Sequence, residues 1–110
     1  MTRFTTDNPA AAAEAVAALP GDVHELAARI EAATRPLREL PDTITAPADA
    51  LNALVAWRRH QDRIRRAEDA VLLRLHASGA SPRGLGNALN INRETVARRI
   101  EAAKAERDQA

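Results

Sequence analysis

The sequence predicts an all-α protein, on three grounds. Alanine is abundant while the 110 residues hold one Phe, one Trp and no Tyr, so the aromatic and β-branched runs that build a sheet are missing. Apolar residues recur at alternating spacings of three and four through two long stretches, which lines them along one side of a helix. Asn8-Pro9, Ser81-Pro82 and Asn92-Arg93 each read as a helix start. A side-chain oxygen there can accept from a free backbone N–H, and proline at the first helical position has no N–H to leave unpaired. A chain of this length suffices for one small domain, or for a compact module with an arm.

Taken in order, residues 1–8 read as a flexible tail. Asn8 and Pro9 then open an Ala-rich helix expected to end before Pro20-Gly21, with Asp22 capping the next. From there Val23, Leu26, Ile30, Ala33, Leu37 and Leu40 fall on one stripe, which needs a partner surface. Pro36 is expected to kink or break that helix near Thr34 or Arg35. The stretch 41–47, with Pro41, Asp42, Thr43, Ile44, Thr45 and Pro47, reads as an extended connector.

From about Ala48 no Pro or Gly occurs until Gly79, which predicts one helix over 48–78, about 30 residues and about 45 Å long. Leu54, Trp57, Gln61, Ile64, Glu68, Val71 and Leu75 continue the three-four spacing, apolar at both ends and polar in the middle. Leu51, Leu54, Val55 and Trp57 are expected to pack with Val23 to Leu40. Val71, Leu72 and Leu75 are expected to serve the C-terminal unit. Arg58, Arg59, Arg63, Arg65 and Arg66 spread around the helix and read as a solvated connector, with phosphate contact as the alternative.

The stretch from Val71 to Lys104 carries the densest signals. Gly79 ends the long helix, Ser81-Pro82 starts a short one to Leu89, and Asn90 stands where a left-handed turn residue is needed. Asn92 caps a helix from Arg93, whose Val96 and Ile100 share a face that can pack on Leu85 and Leu89. Gly86 lies where the two helices must approach closely.

At these residues the chain resembles the helix-turn-helix of sigma-factor region 4 and of the resolvase/invertase DNA-binding domain. The matching text is Val71 to Leu75, Gly79 and Ser81, Leu85 to Leu89, then Ile91 to Val96 with Arg99-Ile100, about a third of the chain. Gly86 replaces the usual Ala, Asn90 the usual Gly and Asn92 the usual Ser, each keeping the physical role. No sigma-factor core-binding region or recombinase catalytic domain precedes the motif, so a whole sigma factor or recombinase is not expected.

Charge is divided unevenly. Residues 1–57 carry 4 Arg against 8 Asp and Glu, a net of −4, and residues 58–110 carry 12 Lys and Arg against 7 acids, a net of +5. The basic half contains the motif, the sign a phosphate backbone selects. With Val96 and Ile100 inward, Glu94, Arg98 and Glu101 point outward with Thr95 beside them. The resemblance adds Asn92 and Arg93 at the base-reading end. Arg93 and Arg98 suit guanine O6 and N7, Glu94 suits cytosine N4, and the Thr95 methyl suits a thymine methyl, although Glu94 and Arg98, four apart, can also pair with each other. Ser81, Arg83 and Arg99 are placed for phosphate, Ser81 also serving as a cap.

Residues 9–57, acidic and with one long apolar stripe, bury little alone, so the sequence predicts a homodimer made by this segment, with Val23, Leu26, Ile30, Leu37, Leu40, Leu51, Leu54 and Trp57 at the contact. The alternative is that these helices fold back on their own chain. A two-fold dimer would address half-sites about one turn, roughly 34 Å, apart and prefer an inverted repeat. The functional expectation is therefore a dimeric, sequence-specific double-stranded DNA-binding protein with residues 58–110 as its reading unit, most simply a bacterial, cytoplasmic, nucleoid-associated transcriptional regulator. Two alternatives stand beside it. One is a module binding polymerase, a regulator or another protein partner, its acidic half docking a basic one; the other is a plasmid or phage partition or accessory DNA-binding protein.

Enzyme chemistry is not expected. His24, His60 and His76 lack metal-site spacing, Gly79, Gly84 and Gly86 form no phosphate loop, and Trp57 reads as a packing anchor. No cofactor or metal is implied, the absence of Cys removes thiolate sites and disulfides, and no apolar run is long enough for a membrane span. Met1 to Asn8 lacks the order of a signal peptide.

Overall fold

The computed structural model describes residues 2–109. Met1, at the head of the expected tail, and Ala110, at the end of the expected reading unit, lie outside the described residues. The protein is all-α: α1 (Pro9–Arg38), α2 (Pro47–Arg59), α3 (Gln61–Ala77), α4 (Pro82–Leu89) and α5 (Arg93–Gln109), with no strand among the described residues. It is elongated, 59 × 26 × 26 Å with a radius of gyration of 17.3 Å, against about 13 Å for a compact chain of this length.

Helix α1 begins as the sequence predicts, with Asn8 Oδ1 accepting from Ala11 N at 3.2 Å and Pro9 in the first turn. It does not end before Pro20, and it does not break near Thr34 or Arg35. One helix runs through Pro20 and Pro36. An interior proline costs about 3 kcal/mol in helix propensity, but α1 packs along both α2 and α3, and that burial offsets the cost. Around Pro36, Thr34 Oγ1 donates to Ile30 O at 3.0 Å, and Glu31 receives Arg35 and, at 2.7 Å, Arg38, bracing the turn from outside. The Arg35 hydrogen bond, with the charges of both arginines, holds the Glu31 carboxyl below its ordinary pKa. Asp22 caps nothing; it accepts from Arg74 Nε at 2.9 Å, pinning the middle of α1 to the end of α3.

The expected single helix over 48–78 is bent into α2 and α3 at His60. The cause is local. With its proton on Nδ1, His60 donates to Ala56 O at 2.8 Å, and Gln61 Nε2 donates to Trp57 O at 3.0 Å. Two carbonyls of the ladder thus take side-chain donors while His60 N shortens its reach to Trp57 O at 3.2 Å, a tighter turn that tilts the axis.

The Asp22–Arg74 pair and a cleft lined by Glu25, Arg29, Arg63 and Arg66 show that α1 runs antiparallel to α3, forming a helical hairpin with the bent α2–α3. The expected stripe of α1 splits across this contact. Ala33 is buried and Leu26 and Leu40 half-buried, whereas Val23, Ile30 and Leu37 face outward. On α2, Ala53 is buried and Trp57 half-buried, but Leu51, Leu54 and Val55, expected to pack on α1, are exposed. Alanines let the two helices approach closely, so the larger side chains are left outside the seam.

The main core lies at the other end. Leu72, Leu73, Ala80, Leu85, Val96 and Ile100 form one buried cluster, with Leu75, Ile91 and Ala103 packed against it. Each of the larger members contributes about 1.5–3 kcal/mol by burial. Leu89, expected in this contact, is exposed instead. The cluster joins α3, α4 and α5 into one unit, and α1 adds to α3 from the opposite side.

Candidate nucleic-acid interface

The α4–α5 corner is built by residues with local reasons to be there. Ser81 Oγ accepts from Gly84 N at 3.0 Å and caps α4, with Pro82 in the first turn. Asn90 ends α4 in the left-handed region, φ 57 and ψ 45, as the sequence predicts. Gly86 is required by the turn: a Cβ there would stand 2.6 Å from Ile91 O and 3.3 Å from Arg93 N. Ile91 N donates to Gly86 O at 2.9 Å, closing the corner, and Asn92 Oδ1 accepts from Glu94 N at 2.8 Å, opening α5.

Fully buried Val96 and nearly buried Ile100 fix the rotation of α5 against Leu72, Leu73 and Leu85. That rotation leaves Asn92, Arg93, Glu94 and Arg98 exposed and Thr95 half-exposed, so the five residues expected to read bases all reach the surface in the N-terminal part of α5. Arg93, Glu94 and Arg98 form no ion pair among the described residues, including the possible Glu94–Arg98 pair. Asn92 has its oxygen committed to the cap and its amide donors outward. The N-terminal helix α1 packs on α2 and α3 and leaves this edge uncovered.

Of the three residues expected at phosphate, Ser81 and Arg83 are exposed at the start of α4. Arg99 is not available. Its side chain is 12% exposed and clamps α5 to α3, Nη2 donating to Glu68 Oε1 at 2.6 Å and Nε to Asp69 Oδ1 at 2.5 Å. Burial opposes its charge, but the two hydrogen bonds and carboxylate charges outweigh burial and raise its pKa above the ordinary arginine value. Sequence position placed Arg99 beside the groove; its partners, 30 and 31 residues earlier, could be found only in the folded chain.

A second feature gave no sequence signal. Within the expected tail, Thr5 N donates to Gly79 O at 3.2 Å and Thr2 Oγ1 to Gly84 O at 3.2 Å, laying the N-terminal residues over the α3–α4 turn. Gly79 admits this strap: its φ is +118, and a Cβ would stand 2.7 Å from Thr5 N and O. Arg3 and Phe4, between the two ties, are exposed.

Among the described residues no group of three His, Asp or Glu side chains fits a metal ion, and no helix is long and apolar enough to cross a membrane. The clefts are open surface grooves, among them one of 260 Å³ lined by Arg66, Ala70, Leu73, Arg74, Ala103, Glu106 and Arg107. No family model, curated protein or solved structure matches the chain.

Proposed function

We propose that the chain is a sequence-specific double-stranded DNA-binding protein, a dimeric transcriptional regulator that lays α5 in the major groove and reads an inverted repeat. The observation that carries the proposal is the open edge of α5: Asn92, Arg93, Glu94, Thr95 and Arg98 projecting from a rigid backing of Val96 and Ile100, with no intramolecular partner for the three charges among the described residues. A planar guanidinium suits the paired acceptors of guanine, and Glu94 can accept from cytosine N4. Ser81 and Arg83, exposed at the N-terminus of α4, contact phosphate and set the register. The net of +5 over residues 58–110 draws the unit to DNA.

Selection of bound duplexes from a random pool tests this directly. The expected product is a pair of inverted half-sites, with affinity falling steeply as salt rises because several phosphates are neutralised. No binding to any duplex at low salt refutes the proposal and favours a protein-binding role for the same edge.

A further inference from the structure

The hairpin of α1 with α2–α3 is packed inside out. Its seam buries Ala12, Ala15, Ala33, Ala53 and Ala67, while its larger aliphatic side chains face away. On α1 the outward row is Val16, Val23, Ile30 and Leu37, seven residues apart, exposed by 53, 47, 42 and 38%. A seven-residue repeat keeps one flank of a helix straight along a second helix. The arc of α1 carrying this row also holds Leu19, Leu26, Ala27 and Thr34 and no charged residue. On α2, Leu51 and Leu54 are exposed by 60 and 50%.

These rows open on the same side. From the seam, at about 100° per residue, the α1 row is displaced in the same rotational sense as Leu51 and Leu54 on α2. For antiparallel helices, equal senses of rotation point to one face of the hairpin. The opposite face is the charged cleft of Glu25, Arg29, Arg63 and Arg66. The apolar row is therefore about 32 Å long from Val16 to Leu37 at 1.5 Å per residue, and Leu51 and Leu54 widen it across α2 at the hairpin tip, while Gln61 and Glu68 of α3 line its other flank nearer the root. With that polar flank the face spans roughly 600 Å² per copy, against the about 800 Å² that each partner of a standard interface contributes.

We propose that the occupant of this face is the same face of a second copy, the two hairpins joining as a parallel four-helix bundle; this deepens the dimeric reading above and rests on it. An uncharged aliphatic surface is complementary to itself. The parallel arrangement follows from where the apolar residues are densest. Leu37, Ile44, Leu51 and Leu54 gather at the hairpin tip, whereas the root of α1 is alanine with Val16 alone. A two-fold axis along the hairpin stacks tip on tip and sets each α1 antiparallel to the partner's α2–α3, opposing their dipoles. An antiparallel dimer would instead carry Leu51 and Leu54 over the far end of the partner's α3 and its strap, away from the other tip. The parallel bundle brings both α4–α5 units to one end, side by side, as an inverted repeat of closely spaced half-sites requires.

The test combines mass with distance. Sedimentation of the intact chain at micromolar concentration is expected to give a dimer, and Ile30→Glu, a change at an exposed site of the folded monomer, a well-folded monomer by circular dichroism. Arg29→Glu, on the charged face, is expected to leave the dimer intact. The chain has no Cys, so spin labels on single Asn52→Cys (tip) and Ala13→Cys (root) variants report separations within the dimer. Both are expected below roughly 40 Å, the span of a few helix diameters. A monomeric intact chain, an unaffected Ile30→Glu, or a loss of dimer by Arg29→Glu overturns the proposed face. A dimer whose tip labels lie a hairpin length or more apart overturns the parallel arrangement. A dimer of the expected geometry that binds no duplex leaves this proposal standing and removes the DNA-binding one.

Discussion

Replacing Arg99 by Met should unfold the C-terminal unit more than it should weaken any phosphate contact. The substitution keeps most of the apolar stem and removes the fork that reaches Glu68 and Asp69. The Asp69 side chain is 14% exposed, so its carboxylate loses a charge-assisted hydrogen bond with little water to replace it, a loss of about 1.5–3 kcal/mol. The Glu68 side chain is 47% exposed and can turn into solvent, adding only about 0.2–1 kcal/mol. The sum, about 2–4 kcal/mol, is a large fraction of the about 5–15 kcal/mol that a small domain has in total. It corresponds to a fall in Tm on the order of 10–20 °C. Urea unfolding followed by helicity measures it, and Asp69→Asn combined with Arg99→Met should cost about 1–3 kcal/mol less than the two singles added, because they share one interaction. A midpoint unchanged by Arg99→Met, with DNA affinity lowered equally on all sequences and the salt dependence reduced by about one phosphate, would refute the reasoning and return Arg99 to the groove.

Other expectations follow from the same geometry. Arg98→Ala should cost about 1–3 kcal/mol on the selected site and little on random DNA, whereas Arg83→Ala should weaken both alike; filter binding on the two duplexes separates them. Gly79→Ala should destabilise the protein by about 1–2 kcal/mol, since it strains a positive φ and drives a methyl into the Thr5 backbone. Hydrogen exchange should then show faster exchange at Thr5 N–H. Asn90→Gly should be neutral or stabilising by up to about 1 kcal/mol, because the left-handed turn suits Gly better, while Asn90→Val should destabilise; thermal melts rank the three. Leu72→Ala, at the centre of the C-terminal cluster, should cost about 2–5 kcal/mol in the same melts.

Much of the C-terminal corner was legible because its determinants are local. Ser81 and Asn92 cap within three residues, Asn90 adopts its turn conformation at a single residue, and the spacing of Val96 and Ile100 orients α5 whatever lies beyond. The outward placement of Glu94 and Arg98 followed from that orientation alone, whereas Arg93 was added by the family resemblance. Local signals misled where a distant contact outweighed them. Pro20 predicted a helix end and Pro36 a kink or break, yet packing along α2 and α3 carried α1 through both as one helix. The absence of Pro and Gly predicted one unbroken helix over 48–78, yet His60 and Gln61 took its carbonyls and bent it into two.

The sequence by itself determined the helical class, the α4–α5 corner and the outward face of α5, since caps, turn residues and three-four spacing act within one or two turns of chain. Tertiary structure decided three things that no local pattern contains. Arg99 was drawn from solvent by carboxylates one helix away. Thr2 and Thr5 were tied to α4 and Gly79 because the fold returns the N-terminus to that turn. The apolar stripe of α1 was divided between an alanine seam and an exposed row, because how closely two helices approach selects which side of a stripe fits between them.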